Sequence, residues 1–195
     1  MFISNSLIFV HIPKTGGNSV RSLLLKNLKG NKVNPPHLTY DQIIKHDPKL
    51  SDCESFCVIR NPFDRFVSTY RFIYRDYRLQ KWFGADFLKI KESIDTMEKF
   101  INSFKMPKDP WSGHDHFTQQ IVWSNNVKNI FKLEEPEKIL KFLKKFGIDE
   151  DLPHLNSRDI PSWKNNLYRN YYSSETKNII AKKFEDDLNK FNYDF

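Results

Sequence analysis

Glycine is scarce in this 195-residue chain, with only 6, and cysteine is scarcer still, with two, Cys53 and Cys57. So few glycines, alongside 10 prolines, exclude a collagen-like or linker-like chain. Two cysteines cannot fill a four-ligand zinc site, and no histidine-rich tract stands beside them. A disulfide framework is not expected at that density in a chain able to build a core. Cys57 lies in the apolar run Phe56-Cys57-Val58-Ile59 and reads as a small buried residue. Long hydrophobic runs are also missing. Nothing approaches ~18 apolar residues, and the run from Leu7 to Ile12 is too short for a membrane span or a signal core. A soluble, cytoplasmic protein is expected, with no membrane span in this chain.

Acidic residues are the minority, 24 against 31 Lys plus Arg, which leaves a net charge of +7. That balance suits an anionic partner, whether nucleic acid, phospholipid or a phosphorylated small ligand. Aromatics are plentiful at 15%, including 17 Phe, enough to fill a core and exclude intrinsic disorder. One domain over residues 1–195 is expected, with no internal repeat and no linker to divide it. Oligomeric state is not written in these features.

Leu7 to Ile12 reads as a buried parallel strand, followed by the loop Pro13-Lys14-Thr15-Gly16-Gly17-Asn18-Ser19. Val20, Leu23, Leu24 and Leu28 then fall on one helical face. Ser55 to Ile59 predicts a second strand, and Pro62 suits the first turn of the helix that carries Phe63, Phe66, Val67 and Tyr70. Further on, helices are predicted near Ile94–Phe104 and over Pro136–Phe146, ending at Gly147, with a strand at Asn129–Leu133 between them. A last helix starts from a Ser173/Ser174 cap. Strands alternating with helices predict an α/β protein: a P-loop-like three-layer fold with a mainly parallel central sheet flanked by helices.

The first loop has the makings of an anion site. A helix start offers unpaired N–H groups and a positive dipole end, and Gly16 and Gly17 let the backbone curl around an oxyanion. Lys14 adds a point charge, while Thr15 and Ser19 add hydroxyl donors. The lysine precedes the glycines, so this is neither Walker A nor G-x-G-x-x-G. Arg60 ends the second strand, where open α/β sheets bind ligands, and Ser68 follows about two turns into the next helix.

Together these segments carry a family resemblance. His11-Ile12-Pro13-Lys14-Thr15-Gly16-Gly17-Asn18-Ser19 resembles the 5′-phosphosulfate loop of sulfotransferases that use 3′-phosphoadenosine 5′-phosphosulfate (PAPS). Val58-Ile59-Arg60-Asn61-Pro62-Phe63-Asp64-Arg65-Phe66-Val67-Ser68-Thr69-Tyr70 resembles their 3′-phosphate motif. The nearest branch is the carbohydrate (Golgi-type, family 2) sulfotransferases, whose loop carries threonine where this chain has Asn18. The resemblance implies that Lys14, Thr15, Gly16, Gly17, Asn18 and Ser19 hold the phosphosulfate, and that Arg60 and Ser68 hold the 3′-phosphate. It further implies sulfuryl transfer to a hydroxyl of a carbohydrate-like acceptor, with 3′-phosphoadenosine 5′-phosphate (PAP) as product and no metal. Lys14 would steady the bridging oxygen.

The acceptor must lose a proton, and histidine is the usual agent near neutrality. His37 opens His37-Leu38-Thr39-Tyr40, which resembles the segment holding the catalytic histidine of heparan- and dermatan-type 2-O-sulfotransferases, so the base role goes to His37. The rival is His116, whose segment with Gln120 resembles an H-W-x-P-Q stretch without its proline; both are expected to line the acceptor side. Trp123 and Trp163 are expected in the core, whereas Trp82 and Trp111 stand open between core and sugar stacking. A basic nucleotide- or nucleic-acid-binding module without catalysis is the alternative, although it lacks a recognisable nucleic-acid signature. A nucleotide-kinase-like phosphotransferase is a third reading, disfavoured by the missing Walker A.

Overall fold

The computed structural model describes residues 1–75, 96–103, 115–153 and 167–195. In chain order its elements begin with β1 (Phe2–Ile3), β2 (Leu7–Val10), α1 (Gly17–Asn27), β3 (Asn31–Lys32), α2 (Tyr40–His46) and β4 (Glu54–Ile59). Then come α3 (Pro62–Arg75), α4 (Met97–Ser103), α5 (Ile121–Ser124), β5 (Asn129–Lys132), α6 (Pro136–Lys144), α7 (Ser174–Lys183) and α8 (Glu185–Phe191). Two compact units contain them: Met1–Arg60 with Gln119–Ile160, and Asn61–Thr118 with Pro161–Phe195.

The first unit is built on a five-stranded sheet in the order β3-β1-β2-β4-β5. Its centre is parallel: Val10 pairs with Cys57 across β2 and β4, and Ile59 with Lys132 across β4 and β5. All four residues of β2 and the last five of β4 are buried, which explains why both read as continuous apolar runs. Val20, Leu23 and Leu24 of α1 and Ile139, Phe142 and Leu143 of α6 pack with Phe9, Phe56 and Val58 of the sheet. Each such side chain contributes on the order of 2 kcal/mol by leaving water. The α/β expectation is borne out.

Some details differ from the sequence pattern. The antiparallel strands β1 and β3 have no counterpart in the sequence pattern, since two residues each are too few to show a period. β2 stops at Val10, so His11 lies beyond the strand rather than within it. Pro13 has no N–H to extend a ladder, and the chain must leave the sheet to form its loop. The α6 helix ends at Lys144, where Phe146 and Gly147 instead donate to Leu143 and Lys144 three residues back, tightening the last turn. Both cysteines are buried and neither is in a disulfide.

The second unit has its own core, in which Phe63, Phe66, Val67 and Tyr70 of α3 meet Phe100, Phe117, Ile180 and Phe184. Asn61 caps α3 by accepting from the Phe63 N–H at 3.0 Å, while its own amide donates to the Asp194 carbonyl at 2.8 Å. Ser173 caps α7 through a capping box with Thr176, as its sequence suggested. The expected single last helix is two, because Phe184 leaves the helical region (φ −113°, ψ 28°) before α8 resumes. α4 begins at Met97; residues 94, 95 and 104 of the expected helix lie outside the described residues. Among the described residues no helix is long and apolar enough to cross a membrane.

Candidate active site

The loop between β2 and α1 is shaped by two left-handed residues, Lys14 (φ 66°) and Gly16 (φ 77°). Lysine in that region costs roughly 1 kcal/mol, so neighbouring contacts must hold it there. One is the Arg60 guanidinium, whose Nη1 donates to the Lys14 carbonyl at 3.2 Å. Thr15 is fully buried, and its hydroxyl donates to the Ile12 carbonyl at 3.0 Å, closing the turn. Its proton therefore serves the loop itself in this conformation. Gly16 is the N-cap of α1 and brings no side-chain cap. Asn18 is exposed and its side chain accepts from Arg21 Nη2 at 2.9 Å, and Ser19 is half-buried one position on.

Gly16 is required by its left-handed backbone and Gly17 by close approach. A β-carbon on Gly16 would meet Leu133 Cδ1 at 2.8 Å, and one on Gly17 would overlap the His11 ring. The result is a glycine-lined start to an eleven-residue helix, whose positive dipole end lies at the loop with Lys14 half-buried beside it. That chemistry fits a phosphate or phosphosulfate oxyanion.

Arg60 follows directly on the last residue of β4. Its backbone is gripped at two points by the Gln120 carboxamide: Oε1 accepts from the Arg60 N–H at 2.9 Å, and Nε2 donates to the Arg60 carbonyl at 2.8 Å. Gln120 is wholly buried and Arg60 nearly so.

His37 is half-buried, and its Nδ1 lies 2.8 Å from the carbonyl oxygen of His11. A carbonyl can only accept, so Nδ1 carries the proton and the lone pair of the neutral ring sits on Nε2. The two imidazoles are 4.6 Å apart between centroids. Trp123 Nε1 donates to the His37 carbonyl at 2.8 Å, fixing the backbone that carries the ring. Trp123 is 1% exposed, the core residue it was expected to be, but with a polar task as well.

The first unit thus brings Lys14 and Gln120 together on Arg60, and Gly17 and His37 together around His11, with Gly16 in the same loop. Ser68, half-buried on α3, and His116, half-buried and stacked on Phe72 (5.4 Å, 17°), belong to the second unit. Trp82, Trp111, His114 and Trp163 lie outside the described residues. Among the described residues no three His, Cys, Asp or Glu side chains gather as a metal site. Sequence reasoning missed what His11, Gln120 and Trp123 hold in place. Nothing in their spacing could have shown it, because each acts across 26 to 86 positions of chain.

The profile of the Sulfotransferase family matches residues 1–194, so the chain belongs to that family. Membership bears out the reading of the chain as a PAPS-dependent sulfotransferase, an enzyme rather than a nucleic-acid-binding module. Among solved structures, the fold is similar to mouse sulfotransferase SULT7A1 complexed with PAP, at a TM-score of 0.55 and 17% identity. The match covers 94% of this chain and 84% of that one. No curated protein matches this chain.

Proposed function

We propose that this sulfotransferase moves a sulfuryl group from PAPS to a hydroxyl of a carbohydrate-like acceptor, with His37 as general base. The observation that carries the reading is the His37 hydrogen bond to the His11 carbonyl. It fixes the tautomer whose Nε2 can take a proton, in a residue bonded to the very peptide that leads into the Lys14 loop. The proposed working unit is the whole of residues 1–195, which the family match supports by running through both compact units.

In this reading Lys14, Thr15, Gly16, Gly17, Asn18 and Ser19 hold the 5′-phosphosulfate, and Arg60 takes the 3′-phosphate. The motif resemblance assigns Ser68 to that phosphate too, and His116 to the acceptor side. The acceptor oxygen bonds to sulfur as the bond from sulfur to the bridging phosphate oxygen breaks. PAP leaves with that electron pair, and the acceptor proton passes to His37 Nε2. The Lys14 ammonium and the α1 N–H groups neutralise charge that grows on the departing phosphate. The SULT7A1 complex with PAP supports this use of the fold.

The test is a mass-spectrometric screen of oligosaccharides, glycolipids and small alcohols incubated with the protein and PAPS. Sulfate on an oligosaccharide hydroxyl is the expected product. Transfer only to small alcohols or lipids would overturn the carbohydrate assignment. PAP binding without transfer to any hydroxyl would overturn the transfer reading itself.

A further inference from the structure

Arg60 sits one residue beyond the parallel ladder, whose continuation at this end is the Leu133 N–H donating to the Ile59 carbonyl at 2.8 Å. Past that bond none of the strands among the described residues pairs with the next peptide units. The Gln120 carboxamide takes over, accepting from the N–H and donating to the carbonyl of the same residue, as a neighbouring strand would. One hydrogen bond would leave the backbone free to swing about it. Two opposed bonds fix both peptide planes that flank the Arg60 Cα, and with them the direction in which its side chain departs. The guanidinium then reaches the loop, where Nη1 meets the Lys14 carbonyl. Gln120 has no exposed surface, so both bonds lie away from competing water. Its backbone is fixed as well, since its carbonyl accepts from the Trp123 and Ser124 N–H groups at 3.1 and 3.0 Å where α5 begins.

We infer that Gln120 is a positioning residue for donor recognition: it aims Arg60 at the 3′-phosphate and so sets the preference for a 3′-phosphorylated nucleotide. Its carboxamide is committed to Arg60 rather than to the acceptor side. The inference rests on the reading of Arg60 as the 3′-phosphate ligand.

The experiment compares the affinity for PAP with that for adenosine 5′-phosphate, which lacks the 3′-phosphate, in the wild type, Gln120→Met, Gln120→Ala and Arg60→Ala. Gln120→Met keeps the volume and removes both hydrogen bonds. Gln120→Ala leaves room for water to satisfy the Arg60 backbone, and it decides the matter should the Met variant not fold. PAP affinity should fall roughly tenfold or more in the Gln120 variants, because a charge-assisted phosphate contact loses its geometry, while adenosine 5′-phosphate affinity changes less than about twofold. Equal weakening of both ligands, or of neither, would overturn the inference and leave Gln120 a purely structural residue. Arg60→Ala separates the two claims. A PAP preference unchanged in Arg60→Ala refutes the Arg60 reading itself, whereas one lost there but kept in the Gln120 variants refutes only the positioning role.

Discussion

The His11 imidazole occupies the space that a β-carbon on Gly17 would need. The same ring lies beside His37, so one side chain separates the start of α1 from the proposed base. Gly17→Ala should therefore push the ring aside, lowering stability by about 1–3 kcal/mol. PAP affinity should fall more than about tenfold as the α1 N–H groups shift. In a His11→Ala background the methyl group has room, and the same change should cost much less, a coupling on the order of 1 kcal/mol or more. Urea midpoints and calorimetric titration with PAP read both effects. Additive losses in the double variant would show that the ring and residue 17 do not compete.

His37→Ala should lower turnover by about 10²–10⁴-fold, the usual span for a lost general base, with PAP affinity nearly unchanged. The acidic limb of the pH–rate profile should go with it. Trp123→Phe keeps the ring in the core but removes the N–H that holds the His37 carbonyl. It should cost stability about 1 kcal/mol and lower turnover less than His37→Ala does. Near-normal turnover in His37→Ala would exclude His37 as the base and pass the role to His116.

The parts legible in the sequence were those with a local signature. β2 and β4 announced themselves as apolar runs, α3 by its proline and its helical spacing of aromatics, and the phosphate loop by two glycines after a lysine. The two-residue strands β1 and β3 are too short to leave a pattern, and the break at Phe184 interrupts a run whose spacing is helical throughout. Long-range hydrogen bonds left no trace at all. The motif resemblance points Gln120 to the acceptor side and gives no sign that its amide holds Arg60 across 60 positions. Side-chain commitments of that kind depend on which elements meet, and local residue preference does not encode them.

Asn61 joins the start of α3 to the last residues of the chain, accepting from Phe63 and donating to Asp194. Asn61→Ala loses both bonds and should cost about 1–2 kcal/mol of stability. Asn61→Asp keeps the cap acceptor and places it where the helix dipole favours negative charge, but it cannot donate to Asp194. It should restore most of the helix contribution while residues 193–195 still exchange their amide hydrogens faster. Unfolding curves and hydrogen exchange distinguish the two bonds. Unchanged exchange at the last residues in both variants would show that the Asp194 bond does not hold them.

Tyr172 gives the second unit a pH limit. Its hydroxyl donates to the Phe63 carbonyl at 2.8 Å, and burial holds its ionisation well above the ordinary tyrosine range, with Asp64 and then Tyr168 adding to the shift. The unfolded chain loses this proton near about pH 10, while the folded chain keeps it to higher pH. The raised value therefore contributes stability that is fully present below about pH 10 and is lost as pH rises through that value toward the folded one. Stability should fall above about pH 10 with a slope approaching 1.4 kcal/mol per pH unit for each such tyrosine. Tyr172→Phe should cost about 1 kcal/mol near pH 8 through the lost hydrogen bond, then show a shallower alkaline decline. Tyr168, also raised by burial, accounts for part of what remains. Urea midpoints measured across the alkaline range decide it, because an identical slope in Tyr172→Phe would remove Tyr172 from the cause.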